Sequence, residues 1–291
     1  MAVSEGLEGR YNEVRQRVAD AASRAGRRPE EVILIAVTKH AEPEDIRRLI
    51  ELGHIDFGEN RAQQLIHRAA MAGEWLDRAG MLDRSARASE HAPELSHDQQ
   101  VRWHLIGHLQ RNKARKVAEV VRLVQSVDSL RIAEELQQAM IKLDRQLDVL
   151  IQVDVAGEQT KFGCAVPAVI PLAEQIDSMY HLNLRGLMTM APYSESPEDA
   201  RPHFARCREL FYEIADMGLG DGRFNLLSMG MSGDFEVGIE EGANLVRVGG
   251  SIFGVRDDAD GLVEEAPPDE TDEEPRADAA ERDSADQSVE H

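Results

Sequence analysis

Short runs of β-branched and apolar residues alternate along most of this chain with stretches whose apolar positions recur every three or four residues. The runs 32–38, 54–57, 103–106, 123–127, 149–155, 182–188, 225–228 and 244–248 read as eight strands. Helical patterns lie near 43–52, 60–76, 111–119, 129–142, 166–180, 197–217 and 233–241, each able to cross back over a parallel sheet. A further helix over 4–26 precedes them, with Leu7, Tyr11, Val14, Val18 and Ala21 on one face and Gly26 as its stop. Such alternation permits an open doubly wound sheet or a closed barrel. Eight is the strand count at which a barrel closes with its interior filled by side chains, so the expected fold is α/β, a (β/α)8 TIM barrel with an extra N-terminal helix. Residues 77–101, rich in His, Glu and Arg, break the rhythm and read as an insertion on the rim.

Composition adjusts this picture at one end. The chain has 291 residues and a net charge of −21, and residues 257–291 hold fifteen Asp and Glu against Arg276 and Arg282. Most of the acidity is therefore a tail. With almost no large apolar residues, that tail cannot offset its ordering entropy and is expected to be disordered. The barrel then occupies 1–256. So acidic a chain, with no long basic stripe, disfavours nucleic acid as a partner. No run of eighteen apolar residues suggests a membrane span, and the reading is cytoplasmic. Cys164 and Cys207 stand in no metal or redox spacing and read as reduced thiols.

The candidate chemistry sits at the ends of three strands. Lys39 follows directly on the apolar run Val32-Ile33-Leu34-Ile35-Ala36-Val37 and Thr38, at what would be the catalytic face of a barrel. An amine beside an apolar wall loses its proton more readily and attacks aldehydes. The last two strands run into the glycine-rich segments Ser228-Met229-Gly230-Met231-Ser232-Gly233 and Val248-Gly249-Gly250-Ser251. In barrels the loops after the seventh and eighth strands commonly hold a phosphate, because glycines let backbone N–H groups approach it. A phosphate site facing a strand-end lysine suggests a cofactor with both a phosphate and an aldehyde, pyridoxal 5′-phosphate (PLP). Arg247, a guanidinium inside a barrel strand, is a candidate partner for the pyridine nitrogen. It can donate a hydrogen bond there without giving up its proton.

Six segments together resemble the pyridoxal phosphate homeostasis protein family: Ala36-Val37-Thr38-Lys39; Phe57-Gly58-Glu59-Asn60; Trp103-His104-Leu105-Ile106-Gly107 with Leu109-Gln110, Asn112 and Lys113; Arg185-Gly186-Leu187-Met188; Ser228-Met229-Gly230-Met231-Ser232; and Val246-Arg247-Val248-Gly249 with Ile252-Phe253-Gly254. The resemblance runs from about residue 8 to 256. It implies a barrel like the N-terminal domain of alanine racemase and an internal aldimine at Lys39. Asn60 is then near the cofactor ring and Arg247 on the ring nitrogen, with Ser228, Gly230, Ser232, Gly249 and Gly250 on the phosphate. The chain departs from the family pattern at Thr38-Lys39-His40, where Ser-Lys-Thr is usual, and at His108, where a proline is usual.

Other signals are weaker. His104 and His108 lie four apart on a strand-to-loop segment, a spacing that does not put both on one face, and no metal site is expected. Gly218, Gly220 and Gly222 precede a strand and so do not form a dinucleotide fingerprint. Two functions remain in view. One is a carrier that sequesters PLP and passes it to PLP-requiring apoenzymes, with no catalytic residue. The other is a PLP-dependent amino-acid racemase or decarboxylase. Enzymes of that fold carry a second, β-rich domain after the barrel that supplies an acid/base group; here an acidic tail follows, which favours the carrier. His40 and Lys161 are the local candidates for a base if the enzyme reading holds.

Overall fold

The strand runs close on themselves. In the computed structural model, which describes residues 6–87, 101–157 and 162–254, the strands are β1 (Ile33–Val37), β2 (Asp56–Glu59), β3 (Arg102–Leu105), β4 (Leu123–Val127), β5 (Leu147–Asp154), β6 (Cys164–Ala165), β7 (Leu182–Thr189), β8 (Leu226–Ser228) and β9 (Leu245–Val248). Their order is β4-β3-β2-β1-β9-β8-β7-β5, and β4 also pairs with β5, so eight strands form a closed barrel. All pairings are parallel. This is the (β/α)8 TIM barrel that the pattern implies. β6 is an addition of two residues against the end of β5.

The helices among the described residues are α1 (Leu7–Arg24), α2 (Pro43–Glu51), α3 (Ala62–Arg87), α4 (Ala114–Ala118), α5 (Leu130–Leu143), α6 (Val166–Asp177), α7 (Arg201–Asp216), α8 (Phe235–Glu240) and α9 (Gly250–Phe253). α3 runs past the helical pattern read at 60–76, through Arg87 and into the expected insertion. Its polar composition suits an exposed helix, and Arg78 pairs with Glu74 one turn earlier. Residues 88–100 of the expected insertion, and the expected disordered tail at 257–291, lie outside the described residues. The compact unit Met1–Val255 holds the barrel.

Two cores result from the period-two alternation of each strand. Outward residues such as Phe57, Leu105, Val149, Leu187 and Val246 join the helices in one cluster. Inward residues Ile35, Leu123, Leu150, Met188 and Leu245 form a second, enclosed cluster. At the N-terminal end the barrel is closed by charge: Arg185 and Arg122 reach Asp148 at 2.7 and 3.1 Å, and Arg102 reaches Asp56 at 2.5 Å. The second strand covers Asp56–Glu59 where 54–57 was read. α1 lies over the last units, with Arg17 bonded to Glu236 of α8 at 2.9 Å and Arg10 donating to the Ile252 carbonyl of α9 at 2.8 Å.

Candidate functional site

β1 ends in a polar residue that turns the chain. The buried Thr38 hydroxyl bonds the Glu59 carboxylate at 2.9 Å, and Glu59 also accepts from the backbone N–H of Asn60 at 2.9 Å. Arg68, from α3, donates to Glu59 at 2.7 Å and bonds the carbonyls of Thr38 and Ala41. Lys39 and His40 sit on the turn between those two carbonyls, and both are exposed. Asn60 begins the next loop. Its Oδ1 is buried and has no hydrogen-bond partner among the described residues.

On the other side of β1 runs β9, with Arg247 opposite Ile35. Arg247 is 3% exposed and makes no ion pair among the described residues, so it is not the structurally paired arginine that a strand position would ordinarily imply. Burial pushes its pKa down to about 10, against the attraction of Asp234 and Cys207; it remains a cation at neutral pH. Its guanidinium donates to the Ser228 hydroxyl at 2.5 Å and to the Thr189 carbonyl at 2.8 Å, which uses two of its five N–H donors. The thiol of Cys207, fully buried nearby, is itself pushed up to about 12 by desolvation, Arg247 opposing.

The two glycine-rich loops meet at the C-terminal ends of β8 and β9. The Ser232 hydroxyl accepts from the N–H of Gly249 at 3.3 Å and of Ser251 at 3.5 Å. Gly249 packs against the end of β1, where an added Cβ would lie 3.0 Å from the Val37 carbonyl oxygen. Gly230 has φ +95° and touches Phe235 at the start of α8. Thus Ser232 of one loop meets Gly249 and Ser251 of the other, and Gly230 lies against the start of α8. Ser228 does not join them through its side chain: its fully buried hydroxyl donates to Gln125 at 2.7 Å and accepts from Arg247. Residue 228 shares the inward parity of Leu226, which packs on the enclosed cluster, so the hydroxyl faces the barrel interior.

The two histidines part company. His104 lies inside the barrel on Asp56 at 3.0 Å, while His108 is exposed at the rim, stacked on Phe162 with 4.1 Å between ring centroids. Among the described residues no three His, Cys, Asp or Glu side chains gather as a metal ion needs. The Gly218–Gly222 segment lies in the connection before β8, at the end of the barrel opposite Lys39. Lys161 lies outside the described residues.

This geometry has close counterparts. The alanine racemase N-terminal domain family matches residues 11–257. A pyridoxal phosphate homeostasis protein of Aquifex aeolicus is 36% identical over 251 residues, 85% of this chain and 97% of that one. This chain belongs to the pyridoxal phosphate homeostasis protein family. Another member, from Pseudomonas aeruginosa, is 37% identical over 244 residues, 84% of this chain and 93% of that one. PipY of Synechococcus elongatus, solved with PLP bound, superposes with a TM-score of 0.63 at 31% identity, covering 81% of this chain and 100% of that one. Lys39, Asn60, Arg247 and both glycine-rich loops lie within the family match. Sequence reading missed Arg68, Thr189, Gln125 and the inward role of His104. A glutamine between Val124 and Ser126 in an apolar strand was the one available signal.

Proposed function

We propose that this chain binds PLP as a Schiff base on Lys39 and serves PLP homeostasis in the cytoplasm, holding the cofactor and handing it to PLP-requiring apoenzymes. One observation carries the reading. Arg247 is a buried guanidinium with no carboxylate on it among the described residues, and it stands on the strand beside the one that ends at Lys39. A buried charge whose nearest carboxylate, Asp234, acts on it without a direct ion pair is costly to keep and is a candidate for ligand binding. The buried Oδ1 of Asn60, just after the other neighbouring strand and without a partner among the described residues, fits a ligand that brings its own donor.

PLP supplies an aldehyde for the lysine and a phosphate for the loops. Lys39 would hold the cofactor through its aldehyde carbon. The loops bearing Gly230, Ser232, Gly249 and Gly250 would hold the phosphate, with Ser232, which already bonds the Gly249 N–H, linking the two. Arg247 would donate to the ring nitrogen and keep its own proton, which leaves the ring a weaker electron sink. The curated relatives are named for PLP homeostasis, and PipY was solved with PLP bound. No described helix is long and apolar enough to cross a membrane.

The test is spectroscopic and chemical. Purified protein given PLP should acquire a visible absorption band, borohydride should abolish the band, and mass spectrometry should then find the adduct on the Lys39 peptide. A protein that stays colourless with excess PLP, or an adduct confined to other lysines, would end this reading.

A further inference from the structure

A single file of hydrogen bonds runs through the barrel from Arg247 to its far end. Arg247 on β9 donates to Ser228 on β8 at 2.5 Å, and Ser228 donates to Gln125 Oε1 on β4 at 2.7 Å. Gln125 Nε2 lies 3.3 Å from His104 Nδ1 on β3, and His104 Nε2 lies 3.0 Å from Asp56 Oδ1 on β2. Asp56 closes the file against Arg102 at 2.5 Å. Five strands contribute. Gln125 and Ser228 are fully buried, and His104 and Asp56 nearly so.

The file has only one consistent direction. An arginine can only donate, so the Ser228 oxygen accepts from it and the Ser228 proton goes to the Gln125 carbonyl. The Gln125 amide must then present its N–H₂ to His104, whose Nδ1 accepts. The His104 proton is thereby placed on Nε2, aimed at Asp56. Burial favours a protonated Asp56, but the hydrogen bonds from His104 and Arg102 and the charge of Arg102 outweigh it and hold the carboxyl below its ordinary range. A cation that only donates stands at one end and a carboxylate that only accepts at the other, and each link polarises the next.

We propose that Gln125 and His104 are positioning residues for Arg247: through Ser228 they fix the plane of its guanidinium, and so the N–H it presents to the ring nitrogen of bound PLP. This rests on the reading of Arg247 as the ring-nitrogen partner. Neither side chain belongs to the phosphate loops or to the turn that carries Lys39. Without Gln125, the Ser228 hydroxyl loses its acceptor and turns its proton elsewhere, and the guanidinium loses a fixed support. With glutamate at 125, a carboxylate faces both Ser228 and His104, which draws a proton to Nδ1 and adds a negative charge to the file.

The experiment loads full-length protein with PLP labelled with ¹⁵N in the ring, fixes it with borohydride, and records the ring-nitrogen chemical shift by NMR. The proteins are wild type, Arg247→Met, Gln125→Met, Gln125→Glu and His104→Phe, each checked for trapping at Lys39. Arg247→Met should move the signal. Gln125→Met and Gln125→Glu should both move it away from wild type, to different positions, with trapping retained. Gln125→Glu keeps the shape of the side chain and carries the test if the apolar variants fold poorly. A signal moved by Arg247→Met and left at the wild-type position by both Gln125 changes would overturn the proposal while leaving the ring contact intact. A signal unmoved by Arg247→Met would instead overturn the ring-nitrogen reading, and the proposal with it.

Discussion

Arg68 and Glu59 form a buried ion pair at 2.7 Å, with Glu59 fully enclosed and Arg68 14% exposed, and the arginine holds the two carbonyls that flank the Lys39 turn. Glu59 in turn receives the Asn60 N–H, so one carboxylate fixes the loops that bear both residues. Truncating one partner of such a pair costs about 3–5 kcal/mol, because the other charge is left buried and alone. Arg68→Met should therefore lower the thermal midpoint and slow the rate at which added PLP becomes trappable on Lys39. Arg68→Lys should recover part of both, since it restores the charge but not the fork. Unchanged trapping in a destabilised Arg68→Met protein would show that the pair supports the fold alone.

Gly230 is constrained twice over. Its φ of +95° disfavours any side chain, and a Cβ there would lie 2.6 Å from the Phe235 Cα. Gly230→Ala must push the loop away from α8, at a cost of about 1–3 kcal/mol from the backbone strain. If this loop holds the phosphate, PLP affinity should fall by roughly tenfold or more, as one lost charge-assisted hydrogen bond implies. Spectral titration with PLP checks this, and free pyridoxal, which lacks the phosphate, should bind wild type and variant alike. An equal loss for both ligands would remove the phosphate from this loop.

The barrel was legible because each strand announces itself locally: Leu123–Val127 is read to the residue, and a lysine or arginine at a strand position stands out against apolar neighbours. What joins strands was not legible. Ser228 to Gln125 spans 103 positions, and nothing in either local pattern says that one hydroxyl will answer the other across a closed barrel. Glycine-rich loops hinted at a phosphate, and that hint led to Ser228 being grouped with its chain neighbours when its parity places it inside. α3 ran past the pattern read at 60–76 because polarity alone does not tell a helix from a loop.

His54 couples stability to pH. Its Nδ1 accepts from the Tyr11 hydroxyl at 3.1 Å and its Nε2 donates to the Asp56 carbonyl at 2.8 Å, so the neutral ring is satisfied. Burial lowers its pKa, Arg15 and His104 adding to the effect and Asp56 opposing it. A folded pKa below the unfolded value of about 6.5 means that the unfolded chain takes up the proton first. The stability from His54 is thus complete above about pH 6.5 and is lost as pH falls from there through its folded pKa. Asp56, also depressed, gives way only in the acid range below the ordinary carboxylate pKa. The thermal midpoint should decline below about pH 6.5 in wild type and more shallowly in His54→Gln. Parallel declines in the two proteins would assign the effect to other histidines.

Holding PLP and using it are separable by one proton. If an external amino acid replaces Lys39 on the cofactor, catalysis at Cα still needs a base held in place, a contribution typically of ~10²–10⁴-fold. His40, the neighbour of Lys39, is exposed and follows it on the same turn. Spectral shifts without turnover are the expected outcome. Exchange of the Cα proton for deuterium should run no faster than a small multiple of the rate with free PLP. His40→Ala and Lys161→Ala should leave that rate where it is. Stereospecific exchange accelerated about a thousandfold, within the range a positioned base supplies, and abolished by either substitution, would make the chain a catalyst and displace the homeostasis reading.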